Sequence, residues 1–263
     1  MRAIIDGDII RYEIAYAAET GWKAITGTEE TPAFDYVEQL LNQRIENIKA
    51  ICQAEEATIY YTSGRTFRYD IAKTKPYKGT RLEKKPFHFS NITVWLRDIL
   101  GAKEVKGIEA DDAMAIDHIN SEDETVLVSR DKDLYQIPGM FYRWELGNSP
   151  SFGPEIISKE GSLHLSEKNK LTGTGYAWFL AQTLMGDSVD NIPGCKGVGP
   201  VRTYELLNGV DMPQQLENTI EEYKRVYGED WEKNLMEQGK LTWICRRMNP
   251  DQTPQTWDLS LTE

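Results

Sequence analysis

The sequence predicts an α/β fold built on a mostly parallel sheet, and three observations predict it. Short β-branched runs alternate with longer segments of helical period. Two of those runs lead straight into aspartates, at Ala3-Ile4-Ile5-Asp6 and at Thr125-Val126-Leu127-Val128-Ser129-Arg130-Asp131. The 263-residue chain is also 40% hydrophobic and 10% aromatic, enough to bury a core and too apolar for a disordered chain. At about 150 residues per domain, that length accommodates one or two domains.

The elements follow in order. Ala3 to Ile5 reads as a buried strand that turns at Asp6-Gly7, with a helix from Ile9 to Ala18. Phe34 to Cys52 places Val37, Leu40, Leu41, Ile45, Ile48 and Ile51 close to a 3.6-residue period, a helix. Thr58 to Tyr61, β-branched and aromatic, is a second strand. The basic stretch beyond it is interrupted by Pro76, Gly79 and Pro86 and reads as a loop or flexible arch. Ile92 to Leu100 and Glu109 to Ile119 are helices, the latter packing through Ala110, Ala113, Met114 and Ile116. Thr125 to Val128 and Met140 to Trp144 are strands. From Tyr176 the pattern turns helical. One helix runs to Met185, a polar turn covers Asp187 to Pro193, and Gly194, Gly197 and Gly199 precede a helix through Leu207. A last amphipathic helix is expected over Trp231 to Met248, while the residues after Asn208 carry no functional motif. The expected division is an α/β core over 1–170, with the arch at about 64–90, and a helical subregion over 171–263, packed as one unit.

Composition removes several classes. No uncharged apolar run approaches the ~20 residues of a membrane span, and two aspartates interrupt the opening MRAIIDGDII where a secretory signal needs apolar residues. Three widely spaced cysteines give neither a disulfide framework nor a zinc pattern, so a reduced cytosolic protein is expected. The net charge of −12 at first argues against a polyanionic partner. Its distribution says otherwise. Between Arg65 and Lys85, eight basic residues face only Asp70 and Glu83, a local +6 that leaves −18 elsewhere. A field screened beyond ~8–10 Å allows such a segment to hold phosphates on an acidic body. Phe67, Tyr69, Tyr77, Phe87 and Phe89 interleave with the cations and suit base stacking. A solvated loop with ordinary gatekeeper lysines accounts for the charge equally well.

The acidic residues form short clusters beside apolar runs: Asp6 and Asp8; Glu109, Asp111 and Asp112; Asp131 and Asp133; Asp187 and Asp190. Each alone has a bland explanation, as a first-turn acid, a helix cap or an Asx-turn. Together they would repel one another unless a cation neutralises them, and Mg²⁺ or Mn²⁺ prefers such oxygen ligands. Two ions ~3.5–4 Å apart suit in-line attack on a phosphodiester. Three histidines and three cysteines are too few to favour zinc or a Ser/His or Cys/His nucleophile.

The series IIDGD, FRYDIAKTKPYKGTR, GIEADD, SRDKDL and MGDSVDNIPGCKGVGP resembles the 5′-3′ exonuclease and flap endonuclease family over roughly residues 2 to 208, with a compact length most like a bacteriophage member. The resemblance implies a PIN-like (resolvase-like), mostly parallel sheet flanked by helices, a basic arch, and a helix-hairpin-helix-like element at about 190–208. It implies metal ligation by Asp6, Glu109, Asp111, Asp112, Asp131, Asp133, Asp187 and Asp190, with Asp8 less firmly matched. Lys78, Arg81 and Asp131 are the implied catalytic residues, the two cations holding the scissile phosphate. Implied DNA contacts are Arg68, Lys75, Tyr77, Lys84 and Lys85 of the arch and Lys196, Gly197, Gly199 and Arg202 of the hairpin. The implied cofactors are two Mg²⁺ or Mn²⁺ ions, with K⁺ at the glycine-rich hairpin. The implied partners are DNA 5′ ends, flaps or nicks, with RNA–DNA hybrid as a further substrate, met by a monomer in the cytoplasm of a cell or bacterial host.

One position departs from the family. An aspartate usually follows the second strand, and ungapped alignment on Phe67-Arg68 puts Ser63 there. A binding protein derived from a nuclease is therefore one alternative. A PIN-type ribonuclease is a second, disfavoured by the long arch and GVGP hairpin. A phosphatase using Asp6 and Asp8 is a third, and it leaves Asp187 and Asp190 without a role.

Overall fold

The computed structural model describes residues 1–80 and 84–260. The chain divides into two compact units whose segments interleave. The first comprises Met1–Gly64, Glu83–Asp131 and Met140–Glu155; the second comprises Arg65–Leu82, Lys132–Gly139 and Ile156–Glu263. The second unit thus begins before residue 171 and takes in most of the basic stretch.

In the first unit, β1 (Arg2–Asp6) leads directly into α1 (Gly7–Thr26), followed by α2 (Phe34–Cys52) and β2 (Glu56–Thr66). The short α3 (Arg68–Ile71) belongs to the second unit. Back in the first unit lie α4 (Phe89–Asp98), β3 (Lys103–Gly107), α5 (Ala110–Asn120) and β4 (Thr125–Val128). Beyond them run β5 (Gly139–Arg143) and β6 (Phe152–Ile157). The six-stranded sheet has the order β3-β2-β1-β4-β5-β6. β1 runs parallel to both β2 and β4, and β4 parallel to β5. Side chains alternate across it. Ile5, Val126 and Val128 point to the core shared with Ile10, Leu41, Ile45, Trp95 and Trp144 of α1, α2, α4 and the segment after β5. Ile4 and Leu127, equally buried, serve the opposite face, where α5 packs on β1 and β4.

The strand order decides where a site belongs. The chain steps from β1 outward to β2 and β3, then returns to β4 on the other side of β1. The crevice beyond the carboxyl ends of β1 and β4 is therefore a topological switch point, where open parallel sheets bind their ligands.

Besides α3, the second unit contains a 3₁₀ turn (Lys132–Gln136), the antiparallel hairpin β7 (Ser162–Leu165) and β8 (Leu171–Thr174), and the helices α6 (Gly175–Met185), α7 (Pro200–Leu207), α8 (Met212–Tyr227) and α9 (Trp231–Thr242). Every residue of α6 from Gly175 to Leu184 is buried, as befits a helix apolar all round. It packs against α7, α8, α9 and the 3₁₀ turn.

There are four differences from the expected elements. β3 (KEVKG) escapes notice because only Val105 is buried. The β7–β8 hairpin is half-exposed and short. α8 was passed over although Met212, Leu216, Ile220, Tyr223 and Tyr227 recur at helical spacing; the side chains it buries most deeply are Gln215, Thr219, Glu222 and Tyr223. α9 ends at Thr242 rather than at Met248, and Trp243 to Arg246 continue as a buried, non-helical segment. Its backbone is paired by side chains. Arg68 donates to the carbonyls of Leu241 (3.2 Å) and Trp243 (2.7 Å), and Gln136 bonds Thr242 O and the Ile244 amide, both at 3.0 Å.

Candidate functional site

In the first unit, Asp6 closes β1 and caps α1. The amides of Asp8 and Ile9 donate to its Oδ1 at 2.9 and 3.1 Å, and Ser129 Oγ donates to Oδ2 at 2.6 Å. That serine follows β4 and accepts from the Asp131 amide at 2.9 Å, so the ends of β1 and β4 are joined through one hydroxyl. Asp6 is only 4% exposed. Burial, with the charge of Asp8 added, pushes its carboxyl up to about 6 despite these bonds. Asp8 itself pairs with Arg11, whose guanidinium lies buried between the rings of Tyr61 and Phe89.

The α5 N-terminus supplies the next group. Glu109 and Asp112 form a reciprocal capping box, with the Glu109 amide donating to Asp112 Oδ2 at 3.0 Å. Asp111 accepts from the Asp112 amide at 2.7 Å. Thr62 ties this group to the first turn of α1: its amide donates to Asp8 Oδ1 at 3.0 Å and its Oγ1 accepts from the Ala110 amide at 2.8 Å. The structure thereby revises the reading of Ser63. That hydroxyl serves Glu104 on β3, holding its carboxylate below the usual range together with Lys106. Thr62, one residue earlier and on the other face of β2, is the hydroxyl beside the acidic group.

In the second unit, Asp187 opens the turn after α6. Gly186 and Gly194 face each other so closely that a Cβ on either would lie within 2.6 Å of the other's amide nitrogen. This closure holds the Asp187–Ile192 backbone pair at 2.8 and 2.7 Å. The amides of Val189 and Asp190 cap the Asp187 carboxylate. Lys132 bonds both Asp187 Oδ2 and Asp133 Oδ1, the latter at 2.8 Å, and Gln182 also donates to Asp133. Burial works against the Asp187 charge, but the Lys132 bond and charge outweigh it and hold the carboxyl below its ordinary range. The same turn fastens the YKG segment. Lys78 N donates to Asp190 O at 2.9 Å and Asn191 Nδ2 to Pro76 O at 2.9 Å. Lys78, with φ 54°, sits with Nζ 4.0 Å from Asp190 Oδ2.

Two expected DNA contacts are corrected. Arg68, 1% exposed, spends its guanidinium on the buried carbonyls described above and is a structural anchor. Tyr77, 3% exposed, donates to Asp190 Oδ2 at 2.8 Å and packs with Ile192 and Leu241, so it is a packed residue and not a stacking platform. Phe89 is likewise buried, whereas Phe87 is 67% exposed. Lys75, Lys84, Lys85, Lys196, Gly197 and Arg202 are exposed, and Gly199 is half-buried before α7. Arg202 pairs with Glu222 at 3.0 Å. Arg81 lies outside the described residues. Sequence reasoning passed over Thr62, Ser129, Gln182 and Lys132, although Lys132 stands between two aspartates in SRDKDL.

The donors fit a hard divalent cation in kind: all are carboxylates, and in the second unit a lysine ammonium already stands where a cation would. Among the described residues, no three carboxylate, imidazole or thiol groups stand together as a ready-made cage.

The chain resembles DNA polymerases I and a 5′-3′ exonuclease in sequence and T5 5′-exonuclease in fold. The particular relatives are these. DNA polymerase I of Bacillus subtilis (strain 168) is 31% identical over 173 residues, covering 62% of this chain. A 5′-3′ exonuclease of Buchnera aphidicola subsp. Schizaphis graminum (strain Sg) is 24% identical over 230 residues, covering 83% of this chain and 73% of the relative. The chain spans 19% of the Bacillus polymerase and 16% of the Rhizobium leguminosarum one. Among solved structures, T5 5′-exonuclease with bound zinc ions superposes with a TM-score of 0.54 at 18% identity, over 92% of this chain and 89% of that one. The T5 flap endonuclease complexed with DNA and metal ions gives 0.51 at 16% identity, over 92% and 99%. These likenesses establish the fold. No protein-family model matches the chain. No described helix is long and apolar enough to cross a membrane.

Proposed function

We propose that the chain is a divalent-metal-dependent nuclease that hydrolyses DNA phosphodiesters at 5′ ends or 5′ flaps. The observation that carries this reading is the junction of Asp6 and Asp131 through Ser129 at the carboxyl ends of β1 and β4. The sequence relatives and the fold of T5 5′-exonuclease support it.

In this reading Asp6, Glu109, Asp111, Asp112 and Asp131 of the first unit, and Asp133, Asp187 and Asp190 of the second, are the carboxylates that hold Mg²⁺ or Mn²⁺, two ions in all. When bound, such ions lower the pKa of a water and neutralise charge on the phosphate. The protein's own residues do the rest. The buried Asp6 charge, disfavoured in the empty protein, is stabilised when a cation arrives. Lys78, fixed by its backbone bond to Asp190, presents an ammonium to the phosphate, a role shared with Arg81; preorganised cations of this kind cost no reorganisation during reaction. Exposed Lys75, Lys84, Lys85, Lys196 and Arg202 hold backbone phosphates. The α7 N-terminus after Gly199 turns amides toward phosphate, and K⁺ joins it at the hairpin.

Replacing Asp131 tests the assignment. Asp131→Ala is expected to abolish cleavage of a 5′-flap DNA while leaving flap binding within about threefold of wild type, because phosphate contacts supply most of the affinity. A variant that still cuts like wild type would refute the site. Matched RNA and RNA–DNA hybrid strands in the same assay decide the substrate's sugar.

A further inference from the structure

We propose that Lys73 and Lys75 form a two-cation site for nucleic-acid backbone phosphate, and that the buried carboxylate of Glu237 on α9 sets it by fixing the backbone beside them. The proposal rests on the DNA-directed reading above and adds to it a phosphate contact, Lys73, and a positioning residue, Glu237.

All of these residues lie in the second unit. Glu237, 9% exposed, meets the basic segment from within α9. Its Oε1 accepts from the amides of Lys73 (2.8 Å) and Thr74 (2.7 Å), and its Oε2 accepts from Thr74 Oγ1 at 2.8 Å. Hydrogen bonds to an ionised acceptor are stronger than neutral ones, so one carboxylate pins two consecutive residues. The chain is held on both sides of that pin. Before it, Ile71 and Ala72 pack against the cluster of Tyr77, Ile192 and Leu241. After it, Pro76 narrows the backbone choices of Lys75, and the Pro76 carbonyl accepts from Asn191 Nδ2 at 2.9 Å.

The side chains supply the second half of the argument. Elsewhere in the stretch Arg65 pairs with Asp70, Arg68 serves buried carbonyls and Lys78 approaches Asp190. Lys73 and Lys75 are exposed, and neither ammonium has a hydrogen-bond or ion-pair partner among the described residues. Cations without a partner on a backbone already fixed lose little freedom when a phosphate arrives. One on each side of the pinned Thr74, they suit successive phosphates of a strand. A carboxylate is the wrong charge for a surface that meets DNA, but this one is buried and spent on three donors.

Binding of a labelled 5′-flap DNA to the full chain, read by fluorescence anisotropy in chelator between about 50 and 200 mM salt, tests this apart from cleavage. Lys73→Ala and Lys75→Ala are each expected to weaken binding about threefold and to lower the salt slope by about 0.7–0.9. Glu237→Leu removes a negative charge and yet should weaken binding about fivefold, because the cations lose their fixed backbone. Glu237→Gln, whose carboxamide oxygen can accept both amides and whose NH₂ can donate to Thr74 Oγ1, should bind within about twofold of wild type or tighter. With both lysines already replaced by alanine, Glu237→Leu should change affinity by less than about 1.5-fold. In wild type the Lys73 and Thr74 amides should exchange slowly with solvent. Glu237→Leu that binds as tightly as wild type, or that loses as much affinity with both lysines gone, overturns the proposal and leaves the nuclease reading standing. Should that variant not fold, as judged by a circular dichroism melt, open-loop exchange at Lys73 and Thr74, or wild-type affinity in the double-lysine variant, overturns it equally. A wild type that binds no DNA at the lowest salt overturns both.

Discussion

Arg68 and Lys78 lie in the same basic stretch yet meet different surroundings. Arg68 is sealed against the carbonyls of Leu241 and Trp243, whereas Lys78 approaches Asp190 from a turn. Sequence charge could not separate them, because the carbonyls that claim Arg68 lie some 170 residues away. Arg68→Ala leaves two buried acceptors and a void, and is expected to cost about 2–4 kcal/mol in urea unfolding. A loss within about 0.5 kcal/mol, the usual range of a surface substitution, would contradict the anchor role. Asp6 offers the opposite case. Its carboxyl, pushed up to about 6 by burial and Asp8, binds a proton more tightly folded than unfolded. Its contribution to stability is therefore present below the unfolded value and is lost as pH rises through 6. Asp6→Asn should raise the melting temperature in metal-free buffer at about pH 8 and, with Mg²⁺ supplied, abolish cleavage, the trade expected of a strained functional residue. A lower melting temperature would show that Asp6 is an ordinary cap. Thr62 marks the limit of linear alignment: the neighbouring Ser63 matched by position, but strand alternation turns Ser63 toward β3 and Thr62 toward Asp8 and α5.

Elements with a strong period were legible and those without were not. β1, β4, α2 and α6 are buried in patterns that the sequence displays directly, and α2 runs from Phe34 to Cys52 as its spacing indicates. α8 is the exception, overlooked although Leu216, Ile220, Tyr223 and Tyr227 share one face, and it also buries polar groups. Glu222, buried on α8, holds Arg202 of α7 and its own neighbour Arg225. Tyr227, at the end of α8, donates to Gly194 O and accepts from the Lys196 amide, so this silent helix buttresses the glycine-rich loop. The two guanidinium groups hold the Glu222 carboxyl down at about 2. A depressed carboxyl stabilises the fold above its unfolded value and loses that contribution as pH falls through the folded one. Because both arginines are half-exposed, solvent discounts the contribution to about 1–2 kcal/mol. Glu222→Gln should thus be less stable than wild type near pH 7, with the gap closing progressively below about pH 4. Urea midpoints across that range check it, and a gap independent of pH would rule out the charge pairing as its source.

At the scale of the whole molecule, the sheet order 3-2-1-4-5-6 explains how Asp6 and Ser129-Asp131, far apart in sequence, come to adjoin: the switch beside β1 gathers strand ends that the sequence keeps apart. The interleaving of the two units was not legible, since it depends on where Arg65–Leu82 and Lys132–Gly139 pack and not on their composition. The net charge of −12 also reads differently with the structure in hand. Part of the acidity is already met from within, by Arg11 at Asp8 and by Lys132 at Asp133 and Asp187. The central claim is metal-dependent hydrolysis of DNA at 5′ ends. Its most direct test is incubation of a 5′-flap duplex with the protein in Mg²⁺, in Mn²⁺ and in excess chelator, reading both binding and cleavage. The account predicts cleavage with either ion and none with chelator; binding without cleavage under every metal would contradict it.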